Sequence, residues 1–191
     1  MSSPFFALIS RVRFIYRWGL MHNVHKENVQ EHSHMTAVIA HALAAIGRDI
    51  FGRAIDPGEA AAAALYHDVS EIFTGDMPTP VKYRNEKLTG AYKDIEDIFA
   101  NKLLDMLPEE MKKTYEPLMF PQGDVKTFVK AADTLCAYIK CIEELKSGNS
   151  EFKSAMVQTR SKLDKFDLPE LRYFMEHFLG AFSLTLDELN D

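Results

Sequence analysis

The 191-residue sequence lacks the features that mark several large classes of protein. It has only two cysteines, Cys136 and Cys141, and five positions apart in one helical pattern they cannot face each other to form a disulfide. This indicates a reducing compartment, and we expect a cytoplasmic protein. No apolar run is long enough to span a bilayer. The N-terminal segment also lacks the apolar stretch of a secretory signal, so we expect no membrane association.

An excess of basic residues is also missing. The chain has 22 Lys and Arg against 28 Asp and Glu, a formal net charge of −6, and a pI near 5.7. Nucleic-acid-binding proteins usually carry a basic excess, so we expect no nucleic-acid polymer as a partner. A small anionic ligand held by a few local cations remains compatible with this charge.

Alternating strand patterns, internal repeats and interdomain linkers are absent as well. The sequence therefore predicts an all-α fold in a single domain spanning 1–191, a length sufficient for a substantial core. A glycine and two prolines predict a loop over 74–80. The predicted helices span 4–15, 29–48, 57–68, 90–107, 125–146, 152–166 and 169–182.

Ionisable residues are concentrated at the end of the alanine-rich helix. His67 and Asp68 are adjacent there, and Glu71 follows one helical turn later. Two more candidates lie on other helices. His32 shares the apolar stripe of its helix, and Asp133 lies at the edge of a buried face, where an ionised carboxylate is costly unless it meets a cation.

His32, His67, Asp68 and Asp133 together provide two imidazoles and two carboxylates. This donor set suits a catalytic divalent ion with positions left open for water and substrate. Each residue also has a simpler interpretation. An inward histidine is often a hydrogen-bonded core residue, Asp133 could cap a helix or pair with a nearby lysine, and Glu71 could be a solvated carboxylate at a helix end.

Beyond this donor set, whole segments of the chain resemble a known family. The order His32 … His67-Asp68 … Asp133 is similar to that of the HD-domain metal-dependent phosphohydrolases. The resemblance is closest to the bacterial HD-domain 5′-deoxynucleotidases, and it runs in order over nearly the whole chain. It is carried by RWGLMHNVHKENVQEHS, ALYHDVSEIFTGDMPTPVKY, KAADTLCAYIKCIEEL and YFMEHF.

The resemblance implies a helical HD-domain bundle that assembles as a homodimer. It also implies one divalent ion on His32, His67, Asp68 and Asp133, with Co²⁺ or Mn²⁺ favoured and Zn²⁺, Ni²⁺, Fe²⁺ or Mg²⁺ compatible. No histidine falls between Asp68 and Asp133, where two-metal relatives carry extra ones, and this favours a single ion.

Further roles follow from the same resemblance. Glu71 is the expected proton-transfer residue. Arg17 is expected to clamp the phosphate and to be catalytic, with Trp18 contacting the substrate beside it, because a guanidinium can bind phosphate through two parallel hydrogen bonds. A surface arginine beside a core tryptophan is the simpler alternative. The other expected substrate-binding residues are His32, Asp68, Asp133 and the loop residues Asp76, Met77, Pro78 and Thr79.

The predicted activity is removal of the 5′-phosphate from deoxyribonucleoside 5′-monophosphates. One alternative is another HD phosphohydrolase acting on a triphosphate, a cyclic nucleotide or an alarmone; the other is a non-catalytic nucleotide-binding regulator. A triphosphate enzyme should offer more cations, and the motif regions supply few beyond Arg17 and Lys82.

Overall fold

The computed structural model describes residues 2–82 and 84–190, and it is helical along most of this length. Within these ranges there is no β-strand, only an isolated antiparallel bridge between Tyr16 and Asn28. The predicted all-α class is therefore confirmed. The helices are α1 Phe5–Ile9, α2 Val29–Asp49, α3 Pro57–Tyr66, α4 Glu71–Thr74, α5 Thr79–Lys82, α6 Glu86–Leu104, α7 Glu109–Met119, α8 Gly123–Lys146, α9 Lys153–Leu163 and α10 Pro169–His177. Short 3₁₀ helices cover Ser10–Phe14, Ser150–Phe152 and Leu179–Ser183.

Side-chain caps explain where the two helices before the site begin. At α2, the Asn28 side chain accepts from the Glu31 backbone N–H and the Glu31 carboxylate accepts from the Asn28 N–H, each at 3.0 Å. This reciprocal capping box satisfies two donors that would otherwise be unpaired at the helix start. At α3, Asp56 accepts from the Gly58 N–H at 2.8 Å, and Pro57 occupies the first helical position, where its missing N–H costs nothing.

The alanine-rich helix ends earlier than predicted. α3 stops at Tyr66, and Asp68 lies in a turn outside it. The hydrogen bonds here join residues three apart, from Val69 N to Tyr66 O and from Glu71 N to Asp68 O, which tightens the backbone into turns. Glu71 therefore begins a separate short helix, α4, and the prediction that it continues the helix of His67 and Asp68 is wrong.

Other boundaries also differ from the predictions. The expected loop over 74–80 is interrupted at its end, because Thr79 and Pro80 form the first turn of α5, where a proline is tolerated. α6 begins at Glu86, four residues earlier than predicted, because Asn85 caps it by accepting from the Leu88 N–H. α7 was not predicted at all. Five of its eleven residues are charged and it contains Pro117, although Met111, Tyr115, Leu118 and Met119 do recur at helical spacing.

Two apolar clusters form the interior. The larger cluster joins α2, α3, α8 and α10 through buried residues such as Leu43, Ala63, Leu135 and Leu171. The smaller cluster joins α1 to the ends of α6 and α7. Ala64 belongs to the first cluster and Val69 to the second, so the turn carrying His67 and Asp68 lies where the two clusters meet.

Two further predictions can be compared with the described ranges. Cys136 and Cys141 are buried and are not joined to each other or to another residue there. None of the helices in the same ranges combines the length and the apolar character needed to cross a bilayer.

Candidate metal and phosphate site

The fold brings His32 and Asp133 together from α2 and α8. His32 is fully buried, in agreement with its place on the apolar stripe of α2. Its Nε2 atom lies 3.1 Å from Oδ1 of Asp133, while the Asp133 side chain is 41% exposed. Asp133 therefore joins the buried face to an open cleft, and its contact with His32 replaces the pairing with a neighbouring lysine that the sequence left open.

His67 and Asp68 reach the same point from the turn after α3. The His67 Nε2 atom lies 3.1 Å from Oδ2 of Asp68 and 4.0 Å from Oδ1 of Asp133. Nδ1 of His67 donates to the Ala64 carbonyl at 2.7 Å, which leaves Nε2 as the nitrogen with a free lone pair. Donor atoms of His32, His67 and Asp68 all lie within 4.8 Å of one another.

This arrangement fits a bound cation. Nε2 of His67 is buried and makes no aligned hydrogen bond within the described ranges, although carboxylate oxygens are close to it. A buried lone pair without a donor is costly, and a metal ion would satisfy it. Asp133 adds a second carboxylate, with Oδ1 at 3.1 Å from Nε2 of His32 and 4.0 Å from Nε2 of His67. Two imidazoles and two carboxylates are a donor set for a transition-metal ion or zinc rather than for calcium.

The electrostatics of the cluster lead to the same conclusion. Burial lowers the pKa of His67, but Asp68 and Asp133 outweigh it and raise this pKa to about 9. Burial raises the pKa of Asp133, but the hydrogen bond and charge of His32 outweigh it and bring the pKa to about 2. The pKa of Asp68 is likewise held well below its usual range, by His67 and Arg17 against burial. A divalent ion would displace the proton of His67, because metal ligation requires a neutral imidazole.

Arg17 borders this cluster and contacts three carboxylates. Its Nε atom lies 3.2 Å from Glu27 Oε2, its Nη1 atom 3.2 Å from Asp68 Oδ2, and its Nη2 atom 3.9 Å from Asp133 Oδ1. The side chain is 12% exposed, so it is not the surface arginine that was the alternative. Burial alone would lower its pKa, but Asp68 foremost among the carboxylates raises the pKa of Arg17 above its ordinary value.

Trp18 follows in an unusual backbone conformation. Its φ is 59°, in the left-handed region that a bulky residue rarely adopts. Its backbone N–H donates to Oδ2 of Asp76 at 3.1 Å, and its ring packs against Phe152 with centroids 5.3 Å apart. The indole Nε1 atom is buried and has no hydrogen-bond partner within the described ranges. Asp76 thus joins the loop after α4 to Trp18, a contact that the sequence did not predict.

Glu71 is buried rather than solvated. It is 5% exposed, and its Oε2 atom has no hydrogen-bond partner in the part of the chain described here. Burial first, then the charges of Asp68 and Asp76, raise the pKa of Glu71 to about 9. A nearby divalent ion would act in the opposite direction. The alternative interpretation of Glu71 as a solvated helix-end carboxylate is therefore wrong.

The remaining loop residues are more open. Met77 and Pro78 are half-buried, and Thr79 is exposed at the start of α5. In this loop, the Asp76 side chain accepts the hydrogen bond from the Trp18 backbone, and burial raises the pKa of Asp76 above the usual aspartate value.

The sequence did not reveal which residues hold Arg17 in position. The Arg17 backbone N–H donates to the Glu27 carbonyl at 2.9 Å, and Glu27 also holds the guanidinium. Nothing in the sequence marks Glu27, because its role depends on a pairing of 15–17 with 27–29 that leaves no local pattern.

A second support lies at the C-terminal end of α8. The carboxylate of Glu144, fully buried, accepts from the backbone N–H groups of Val24 and His25 at 2.9 and 3.0 Å. It also accepts from Asn149 at 2.7 Å and pairs with Lys140 at 2.6 Å, and Lys140 in turn donates to the His25 carbonyl. This network fixes the 22–25 segment, which is separated from Trp18 by three residues.

An all-α chain that brings together a histidine from α2, a His-Asp pair from the turn after α3 and an aspartate from α8 has the arrangement of an HD-domain phosphohydrolase. Solved structures support this class at the level of the fold. A Listeria innocua HD-domain phosphohydrolase superposes with a TM-score of 0.81 at 23% identity, over 93% of this chain and 87% of that one. A cyanophage S-2L HD phosphohydrolase, bound to dA and one catalytic Zn²⁺ ion, gives a TM-score of 0.64 at 21% identity, over 94% and 96%.

Comparison with sequence families is more specific. The profile described as 5′-deoxynucleotidase YfbR-like matches residues 4–182. A 5′-deoxynucleotidase of Shewanella oneidensis is 46% identical over 191 residues, 98% of each chain. The chain belongs to the YfbR-like 5′-deoxynucleotidase family, and the resemblance expected from its sequence is confirmed.

Proposed function

We propose that this protein hydrolyses deoxyribonucleoside 5′-monophosphates to the deoxynucleoside and inorganic phosphate. The main support is the position of Arg17. It lies against Asp68 and Asp133, the same carboxylates that form the candidate metal site with His32 and His67. A phosphate bound at this point would meet both the ion and the guanidinium. Relatives over the full length of the chain carry the name of this activity.

We infer that one divalent ion is held by His32, His67, Asp68 and Asp133. When bound, such an ion lowers the pKa of a water molecule and neutralises phosphate charge. Co²⁺ and Mn²⁺ are the ions proposed first, with Zn²⁺, Ni²⁺, Fe²⁺ and Mg²⁺ as alternatives. The solved HD phosphohydrolase that holds Zn²⁺ supports a single-ion site of this class.

The protein residues have separate tasks in this proposal. Arg17 orients the phosphate through its two Nη atoms, while Glu27 holds its Nε edge. Glu71 moves the proton between water and the leaving 5′-oxygen. It is buried, and the charge of Asp68 helps to raise its pKa. Trp18 and the Asp76–Thr79 loop hold the nucleoside, and the Asp76 contact fixes the loop to Trp18.

The test is phosphate release from a panel of nucleotides. The panel contains 2′-deoxy- and ribonucleoside 5′-monophosphates, a deoxynucleoside triphosphate and a cyclic nucleotide. Each nucleotide is assayed with protein whose metal has been removed by a chelator, and again after Co²⁺ or Mn²⁺ has been added back. We expect release from the deoxy monophosphates, loss on chelation and recovery with the ion. If the triphosphate or the cyclic nucleotide is hydrolysed in preference to the deoxy monophosphates, the protein is instead an HD phosphohydrolase of another specificity. No release from any of them would favour the non-catalytic regulator.

We further propose that the chain functions as a single domain, as a homodimer, and in the cytoplasm. The two apolar clusters share the turn that carries His67 and Asp68, which supports one folding unit.

A further inference from the structure

The indole of Trp18 is held by packing rather than by a polar contact. Its Nε1 atom is buried and has no hydrogen-bond partner within the described ranges. The ring lies against Phe152, with the centroids 5.3 Å apart and the planes tilted by 56°. This separation is typical of interacting aromatic rings. A ring without a polar contact takes its orientation from its neighbours, so the orientation of the indole depends on Phe152.

The backbone of Trp18 also needs support from other parts of the chain. A φ of 59° is costly for a residue with a bulky side chain, and such a conformation persists only where the surroundings hold it. Two hydrogen bonds do so here. The Trp18 N–H donates to Asp76 at 3.1 Å, and the Trp18 carbonyl accepts from Nδ2 of Asn23 at 3.2 Å. Residues strained in this way cluster at ligand-binding sites, which agrees with a contact between Trp18 and the substrate.

Phe152 is itself fixed at the end of the short 3₁₀ helix that follows α8, and it is fully buried. Asn149 caps this helix by accepting from the Glu151 N–H at 3.3 Å, and its Nδ2 atom donates to the His22 carbonyl at 2.7 Å. The Glu151 carboxylate accepts from the His22 N–H at 3.2 Å. This segment therefore holds both the ring of Trp18 and the chain that follows it.

Helix α8 connects this support to the metal site. The candidate ligand Asp133 and Glu144, which binds the 22–25 segment, both lie on this helix. At 1.5 Å per residue they are roughly 16 Å apart along its axis. Arg17, which contacts Asp133, directly precedes Trp18 in the chain. One helix therefore positions both the residues proposed to bind the phosphate and those proposed to bind the nucleoside.

We propose that Phe152 is a positioning residue for sugar selectivity, because it holds the indole of Trp18 where the 2′-hydroxyl of a ribonucleotide would collide with it. The proposal rests on the proposed function, in which Trp18 contacts the nucleoside. The apolar face of an indole offers a hydroxyl no partner, so a ribonucleotide must either bury this group unpaired or push the ring aside. Packing against Phe152 opposes the displacement of the ring. Phe152 is fully buried and acts on the substrate only through Trp18.

The test begins with fluorescence, because Trp18 is the single tryptophan of the chain and its emission reports this one side chain. The wild type is compared with Phe152→Leu and with Phe128→Leu. Phe128 is a fully buried member of the larger apolar cluster and makes no ring contact with Trp18 in the described part of the chain, so its substitution controls for the loss of a core ring. We expect Trp18 emission to move to longer wavelength, and acrylamide to quench it more strongly, in Phe152→Leu alone.

Kinetics with dUMP and UMP, which differ only at the 2′ position, then measures the selectivity. An apolar pocket discriminates against one added hydroxyl by at most about 100-fold in kcat/KM. We expect the ratio of kcat/KM for dUMP to that for UMP to fall about tenfold in Phe152→Leu and to stay within about twofold of the wild type in Phe128→Leu. The fall should come mainly from faster hydrolysis of UMP, whereas general damage to the fold would slow both substrates. Metal occupancy should not change.

If circular dichroism shows that Phe152→Leu does not fold, Phe152→Met makes the same comparison, because it keeps most of the volume but not the flat ring. An unchanged emission spectrum or an unchanged ratio in the folded variant would overturn the proposal. Equal use of dUMP and UMP by the wild type would also overturn it, and in each of these cases the hydrolysis of monophosphates would stand. Absence of phosphate release from dUMP by the metal-loaded wild type would instead reject the proposed function, and this proposal with it.

Discussion

Arg17 contacts two carboxylates that a metal ion would also bind. Asp68 and Asp133 lie 3.2 and 3.9 Å from its Nη atoms, and both are candidate ligands. In the proposed function, an ion on these carboxylates would share their negative charge and would leave the two Nη atoms available to a phosphate. Glu27, which is not a candidate ligand, keeps the Nε edge in place at 3.2 Å. The Glu27 contact thus fixes the orientation of the guanidinium without any ligand.

Substituting Arg17 with Lys should separate phosphate clamping from charge alone. Lysine keeps the charge but not the planar fork, so we expect turnover and kcat/KM to fall together by about 2–4 kcal/mol in transition-state stabilisation. Steady-state kinetics with dTMP measures this, and metal analysis should show unchanged occupancy. A rise in KM alone would assign Arg17 to binding only. Wild-type kinetics would remove it from the mechanism.

Replacing Glu71 with Gln tests proton transfer while keeping the shape of the side chain. We expect the protein to keep its metal and to lose turnover on the order of 100-fold or more, because an amide cannot exchange the proton. The control is Glu59→Gln, which changes an exposed glutamate on α3 and should leave turnover as it is. Turnover within twofold of the wild type in Glu71→Gln would exclude the assigned role.

At the scale of elements, apolar spacing allowed the position of His32 to be predicted. It shares a stripe with residues that are buried in α2, and it is itself buried. The same reasoning placed Asp133 correctly at the edge of a buried face of α8. It failed at the end of α3, where three-residue turns separate Glu71 from His67, because alanine and tyrosine do not mark a helix end.

Partners that come from distant parts of the chain could not be predicted. Glu27 and Glu144 act through tertiary pairings, and each looks like an ordinary surface acid in the sequence. The family resemblance indicated Asp76, but not its contact with the Trp18 backbone. The ring contact of Trp18 with Phe152 likewise exists only in the fold.

The Glu144 network should make stability depend on pH in a defined direction. Burial raises its pKa, but Lys140 and the backbone donors outweigh it and lower the pKa of Glu144 to about 2. A lowered pKa stabilises the fold above the unfolded value of about 4.3, and this contribution is lost as pH falls toward 2. We therefore expect Glu144→Gln to cost a few kcal/mol at pH 7 and progressively less below about pH 4.

Thermal or urea unfolding of Glu144→Gln across this pH range provides the measurement. Glu143→Gln, next to it and exposed, is the matched control and should show a far smaller difference from the wild type. A cost that stays constant from pH 7 to pH 3 would mean that the charge of Glu144 does not hold the 22–25 segment.

At the scale of the whole molecule, α6 carries apolar residues that the fold does not bury. Leu88, Ile95 and Ile98 are 46%, 40% and 63% exposed and share one face of the helix. Exposed apolar side chains grouped in this way are typical of a surface that contacts another chain. They are a physical reason, beside the family resemblance, to expect a second copy there.

We expect light scattering at micromolar concentration to give about twice the 21.7 kDa of one chain. Ile98→Glu should shift the mass toward one chain, since a carboxylate is costly in an apolar interface. Val157→Glu is the comparison, because Val157 is a 70% exposed residue on α9. A wild-type mass of one chain would contradict the homodimer, and a dimer that persists in Ile98→Glu would place the interface elsewhere.

The candidate ligands come from three stretches of chain, around positions 32, 67 and 133, so an unfolded chain cannot present them together. An ion that binds the folded state alone adds RT ln(1 + [M]/Kd) to the free energy of unfolding, which is about 2.7 kcal/mol at a hundredfold excess over Kd. Chelation should therefore lower the melting temperature by several degrees, and Co²⁺ or Mn²⁺ should restore it. In Asp133→Ala the ion should produce little or no such shift. The stability of the protein would then depend on the concentration of free ion, and chains without a bound ion would unfold at a lower temperature than chains with one.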